Sequence, residues 1–133
     1  MMRSLEQHAW YEAVVFVRKY LTWTSHDRTE PWIESSQLAS DVLGLLTAYG
    51  YLEGSGSRIR PSLNAYDAEF ADRMLPRIRT ILDENGVPHG SFVSGSDLAP
   101  LVSEGWLRRD DTGYTVTPHG RAAIERIIRC TAS

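Results

Sequence analysis

The sequence predicts a helix-rich α+β protein, with two similar units in tandem packed into one compact body. Apolar residues recur at helical spacing over most of the chain, beginning with Leu5, Trp10, Val14, Val17 and Leu21. Two other segments read as short hairpins, each directly after a glycine. A shift of 55 residues lays one hairpin region on the other, with Leu46 on Leu101, Gly50 on Gly105, Tyr51 on Trp106 and Leu52 on Leu107. The units are therefore expected at residues 1–63 and 64–133.

The first helix is expected over about residues 4–22. Ser4 and Gln7 stand at the S-x-x-Q spacing of a capping box, in which each side chain satisfies a backbone donor left open by the first turn. Ala13 and Tyr20 widen the apolar stripe, while Val15 and Phe16 lie off it, so the helix needs cover on more than one side. Residues 23–30 are polar and read as a connection. Pro31 suits the first turn of a second helix, where its missing N–H has no partner in any case. Trp32, Ile33, Leu38, Val42, Leu45, Leu46 and Tyr49 continue the period, as one helix or as a short one broken near Ser35-Ser36 and a longer one over about 37–49. Gly50 falls where a left-handed residue closes a helix. The first hairpin pairs Tyr51-Leu52-Glu53 with Arg58-Ile59-Arg60 around Gly54-Ser55-Gly56-Ser57, and Pro61 limits further ladder bonds.

Asn64 can cap the next helix, whose apolar positions Phe70, Met74, Leu75, Ile78, Ile81 and Leu82 hold their period to about residue 85. Pro76 inside that pattern predicts a kink or two abutting helices, and Asn85-Gly86 supplies the stop. Residues 87–95 read as loop with a short strand at Phe92-Val93. Ser96 or Asp97 can cap a short helix to Glu104, with Pro100 in or near its first turn and Gly105 at its end. The second hairpin pairs Trp106–Arg109 with Tyr114–Thr117 around Asp110–Gly113. Thr117-Pro118, a capping hydroxyl before a proline at the first helical position, opens the last helix, with Ile124, Ile127 and Ile128 as its stripe. Beyond the hairpin the better offset is 54, which lays Phe70 on Ile124 and Met74 on Ile128.

Composition narrows the function classes. A chain of 133 residues, 42% hydrophobic and 23% charged, can fold without a disulfide or a metal. Cys130 is the only cysteine, which excludes an internal disulfide and a multi-cysteine zinc cage. No apolar run approaches the roughly 20 residues that span a bilayer, and no charged-then-apolar leader opens the chain. The expectation is a cytoplasmic protein with no membrane partner. Of 14 basic residues all but Lys19 are arginine, a bias that GC-rich coding explains. A net charge of -3 gives no global attraction to nucleic acid, so any such contact must come from a local patch.

Residues 101–127, LVSEGWLRRDDTGYTVTPHGRAAIERI, comprise a helix ending in Glu-Gly, an aromatic-Leu strand, a charged tip, a strand ending in Thr-Pro-x-Gly, and a closing helix. The segment resembles the end of a winged-helix domain in bacterial regulators of the MarR/PadR type. Residues 39–62, ASDVLGLLTAYGYLEGSGSRIRPS, are similar more loosely. The resemblance implies two winged-helix-like units of bacterial or phage origin. It also implies a helix before the Glu-Gly that enters the DNA major groove, and a hairpin, the wing, that touches backbone or minor groove. Neither copy shows a clear short helix at the usual spacing before the recognition-helix position.

Charge at those places weighs against DNA. Base reading uses Arg, Lys, Asn or Gln, and phosphate contact supplies most non-specific affinity. Residues 38–49 contain no Lys, Arg or Asn and carry Asp41, while residues 96–104 contain Asp97 and Glu104 and no basic residue. Among the wing arginines, Arg58 and Arg60 flank Ile59 on one face and stand as an uncancelled pair, whereas Arg108 and Arg109 adjoin Asp110 and Asp111. Arg73 and Arg77 lie beside Glu69 and Asp72 and read as a solvent face.

Catalytic signatures are lacking. His8, His26, His89 and His119 are scattered, Ser25-His26-Asp27 are sequence neighbours rather than a triad, and Gly54–Ser57 has no following Lys-Ser/Thr. No catalytic, metal-binding or cofactor-binding residue is expected. Trp10 and Trp106 read as core. Trp23 and Trp32 flank a polar connection, and with Ile124, Ile127 and Ile128 they are the candidates for a protein interface. The expected function is non-enzymatic protein–protein contact by a winged-helix protein, as a homodimer or as an accessory or inhibitor of a larger machine, whether or not that machine handles nucleic acid. The alternative is a DNA-binding transcriptional regulator that uses Arg58, Arg60, Arg108 and Arg109.

Overall fold

Helix α1 spans Leu5–Trp23 and opens on the capping box: Ser4 Oγ accepts from the Gln7 N–H at 3.1 Å, and Gln7 Oε1 accepts from the Ser4 N–H at 2.9 Å. It belongs to a computed structural model that describes residues 4–24, 31–82, 91–92, 98–111 and 113–131. The protein is a helix-rich α+β fold with two small antiparallel sheets. It divides into two units, Met1–Phe70 and Ala71–Ser133, at a point inside the third helix rather than at the residue 63/64 boundary expected above.

In the first unit α1 is followed by β1 (Ile33–Glu34), a 3-10 turn (Ser35–Gln37), α2 (Ser40–Ala48) and the hairpin β2 (Leu52–Ser55) and β3 (Arg58–Pro61). The strands are ordered β1-β3-β2, with Ile33 opposite Ile59 and Glu53 opposite Arg60. Helix α1 packs against α2 and β3. Trp10, Val14, Phe16, Val17, Tyr20, Ile33, Leu46, Tyr51 and Ile59 are all buried. Leu5, expected in the apolar stripe, is instead 69% exposed, and Val15 and Phe16 part company, since Phe16 is buried while Val15 is exposed.

Residues 31–34 correct the sequence reading: they precede and form a strand, not the start of a helix. Tertiary pairing overrides the local period here. Tyr20 Oη donates to the Pro31 carbonyl at 2.8 Å, and Ile33 is buried opposite Ile59. A 3-10 turn at Ser35–Gln37 precedes α2, where the sequence offered a break between a short helix and a longer one.

Helix α3 spans Leu63–Arg79 and runs unbroken through Pro76, so it is one helix and not two. Proline removes one backbone bond and crowds the preceding turn, which kinks a helix where it does not break it. Its cap is Ser62, whose Oγ accepts from the Ala65 N–H at 3.4 Å. Asn64 is already helical and donates to the Gly50 carbonyl at 3.4 Å. The expected stop at Asn85-Gly86 lies outside the described residues.

The second unit contains the end of α3, then β4 (Ser91–Phe92), α4 (Ala99–Ser103), β5 (Leu107–Asp110), β6 (Gly113–Val116) and α5 (Pro118–Thr131). Its strand order β4-β6-β5 repeats that of the first sheet. Leu98 occupies the position before α4 and makes no side-chain cap bond; Ser96 and Asp97, the expected caps, lie outside the described residues. Leu98, Leu101, Trp106, Leu107, Ile124 and Ile127 are buried.

The two units repeat one another in their hydrogen bonds. Gly50 and Gly105 both take positive φ, 75° and 79°, and close α2 and α4. The next N–H, of Tyr51 or Trp106, donates to the Leu46 or Leu101 carbonyl at 2.9 and 3.0 Å. At the far end of each hairpin a hydroxyl ties the strand back to that glycine: Ser62 Oγ donates to the Gly50 carbonyl at 2.7 Å, and Thr117 Oγ1 to the Gly105 carbonyl at 2.6 Å. The same hydroxyls cap α3 and α5, accepting from the Ala65 and Gly120 N–H groups. All these pairs stand 55 residues apart, so the offset of 54 expected beyond the hairpin does not apply there. The hairpins have equal tips, with Ser55 opposite Arg58 and Asp110 opposite Gly113.

Removing this hydroxyl deprives one carbonyl of its donor and one helix of its cap. Thr117→Val is expected to cost about 1–2 kcal/mol, while Thr117→Ser is expected to be near neutral, as the serine at the matching position keeps both bonds. Urea midpoints at constant m-value measure the difference.

Candidate protein-contact surface

Helix α1 carries apolar residues on two sides. Ala9, Trp10, Ala13, Val14, Phe16, Val17 and Tyr20 are buried, but Val15 is 42% exposed and Trp23 43% exposed. Glu12, Lys19 and Trp23 recur at helical spacing along one face, with the neighbours Val15 and Phe16 on its two flanks. That face is one wall of a groove. The other wall is Gln37, Leu38, Ala39 and Val42, where the 3-10 turn leads into α2.

The groove has a volume of about 140 Å³. Sites for small-molecule ligands are larger, roughly 300–1,000 Å³, whereas this one accommodates a side chain or two from a partner surface. Its floor is apolar and its charge is balanced, with Glu12 and Lys19 two helical turns apart on the same wall. Glu12 Oε1 lies 3.8 Å from His8 Nε2 on the preceding turn. On the same helix Arg18 approaches Glu69 of α3 at 3.8 Å.

Trp32, the second exposed tryptophan, is engaged within its own sheet. The Arg60 guanidinium lies 4.1 Å from its ring centroid, and the ring also rests on Gly54, where an added Cβ would come within 2.6 Å of Cζ3 and would overlap the Arg58 carbonyl. Gly54 at φ +105° allows this close approach. Arg60 Nε donates to Glu53 Oε2 at 3.0 Å across the ladder. Arg60 is therefore paired, which corrects its reading as half of an uncancelled pair.

Of the remaining wing residues, Arg58 is exposed and faces Glu34 in register, and Arg108 and Arg109 are exposed on β5. Helix α2 has Asp41 as its one charged residue, and α4, Ala99–Ser103, has none. On the last helix Ile124 and Ile127, expected to face a partner, are buried within the chain, and Ile128 is half-buried. Of the interface residues read from the sequence, Trp23 alone lines the groove. Val15, Lys19, Leu38 and Val42 complete the groove, and of these only Val15 carries a signal in the sequence, by falling off the main apolar stripe.

Among the described residues, no three of His, Cys, Asp and Glu gather as a metal site, and no helix is long and apolar enough to cross a membrane. Ser25, His26, Asp27 and His89 lie outside the described residues. Compared with protein-family models, with curated proteins and with solved structures, the chain matches none.

Proposed function

We propose that this is a non-enzymatic protein with two winged-helix-like units that works by protein–protein contact, as a homodimer or as an accessory or inhibitor of a larger machine. The observation that carries the reading is the α1 groove, where Trp23 and Val15 are exposed over an apolar floor. Tryptophan set in a groove is a common anchor of protein interfaces. The winged-helix reading draws support from the element order and from the β1-β3-β2 and β4-β6-β5 sheets, which place the first strand of each unit beside the third. The neutral or acidic surfaces of α2 and α4 disfavour insertion into a DNA groove, and Arg60 is held by Glu53.

A photo-crosslinking residue placed at position 23 is expected to give a discrete protein adduct in cells, with none from the exposed position 111. Absence of a protein adduct at position 23 would overturn the reading. So would micromolar, steeply salt-dependent binding to random duplex DNA that is lost in Arg58→Ala/Arg60→Ala.

A further inference from the structure

We propose that the occupant of the α1 groove is a second copy of this chain, seated as an antiparallel two-fold pair of α1 helices. This rests on the reading of the groove as a protein-contact surface and names its partner. Glu12 and Lys19 are seven residues apart on the groove wall, with Val15 and Phe16 between them. A two-fold axis running between the two helices, at the level between Val15 and Phe16, sets residue 12 of one copy opposite residue 19 of the other. Glu12 of each copy then faces Lys19 of the other, so the opposite charges pair twice by symmetry. Such a contact is self-complementary, as a two-fold interface requires.

The same axis sets Trp23 of each copy against the turn of the other that holds His8. It also lays the two exposed Val15 side chains together at the centre. Exposed apolar area on this face lies at its centre and near its end: Val15 is 42% and Trp23 43% exposed. Burial of Val15 and Trp23 supplies affinity, and the charges fix direction and register, since a parallel arrangement would set Glu12 against Glu12 and Lys19 against Lys19. The unfilled room beside Leu38 and Val42 receives side chains of the second helix.

Charge reversal tests this directly by sedimentation or light scattering at micromolar to sub-millimolar concentration. The wild-type chain is expected to be a dimer. Glu12→Lys alone and Lys19→Glu alone each place two like-charge pairs at the interface and are expected to weaken the dimer by about tenfold or more. Mixing these two variants restores dimers, because the two lysines of the first variant, at positions 12 and 19, then face the two glutamates of the second, at positions 19 and 12. The double reversal in one chain does the same. Both residues are solvent-accessible, and circular dichroism verifies that the variants fold. Trp23→Gln is a second variant expected to weaken the wild-type dimer without a charge change.

A monomeric wild type overturns the second-copy assignment, while a protein adduct at position 23 then leaves the contact surface to another partner. Failure of the mixed reversals to restore the dimer overturns the antiparallel arrangement. A dimer indifferent to Glu12→Lys, Lys19→Glu and Trp23→Gln overturns the assignment and removes the support that the groove gives to the functional reading.

Discussion

Gly120→Ala is expected to destabilise the protein by about 3 kcal/mol, although alanine is ordinarily the better helix former. An added Cβ at this position would overlap the Trp106 carbonyl oxygen and would lie 2.7 Å from its Cα and 2.8 Å from its carbonyl carbon. These are backbone atoms and cannot rotate aside. Relief requires α5 to move from the start of β5, which strains the bond from Thr117 to the Gly105 carbonyl at 2.6 Å. Gly44→Ala supplies the contrast. Gly44 lies within α2, is exposed, and has nothing within 4 Å of an added Cβ. There the same exchange is expected to stabilise by about 0.5–1 kcal/mol. In thermal denaturation the first variant melts about 10 °C lower and the second a few degrees higher. Equal shifts in the two variants would contradict the close approach of α5 to Trp106.

Trp10→Ala and Trp106→Ala are each expected to cost about 3–5 kcal/mol, because truncating a buried aromatic residue removes its transfer energy and leaves a cavity. Both side chains are 0% exposed, and Trp10 also packs edge-to-face on Tyr11 with ring centroids 4.9 Å apart. Trp10→Phe retains the ring contact and removes an indole N–H that is buried with no acceptor among the described residues, so its cost is expected to fall to about 1–2 kcal/mol. Trp23→Ala removes a ring of similar size from the groove wall, where solvent reaches it, and at concentrations low enough to keep the chain monomeric is expected to change stability by less than about 0.5 kcal/mol. Urea unfolding followed by circular dichroism separates these classes. A loss above about 2 kcal/mol for Trp23→Ala in the monomer would reassign Trp23 to the core and remove the anchor of the proposed contact.

What was legible in the sequence was local. The Ser4–Gln7 box, the glycines that end α2 and α4, and the two hairpins are written in residues a few positions apart, and all are present. What was not legible depends on partners distant in sequence. Strand β1 has two residues, too few for any period, and exists because Ile33 finds Ile59. Its neighbours Pro31 and Trp32 imitated a helix start for the same reason, with the tertiary partners Tyr20 and Arg60 invisible to a local reading. The cap of α3 passed unseen because Ser62 and Asn64 are both good capping residues, and only the bond back to Gly50 decides between them.

The site divides along the same line. Trp23 was marked by its place beside a polar connection, but the groove exists only once residues 37–42 lie against α1. Composition also drew attention to Arg58 and Arg60 as one patch. Cross-strand register splits that patch, because Glu53 stands opposite Arg60 whereas Glu34 stands opposite Arg58. On the last helix the apolar period identified Ile124 and Ile127 correctly as one face, but period alone cannot say whether a face meets the rest of the chain or a partner.

The matched glycine and hydroxyl at the two ends of each hairpin make the hairpins cassettes. Residues 51–62 and 106–117 are segments of equal length, each entered from a left-handed glycine and closed by a hydroxyl that bonds back to it. Splicing at those junctions exchanges one tip for the other while every junction bond keeps a donor and an acceptor. The arginine-bearing tip of the first unit and the aspartate-bearing tip of the second are thus transplantable parts, and a chimera with two copies of either is a direct way to vary surface charge on a fixed backbone.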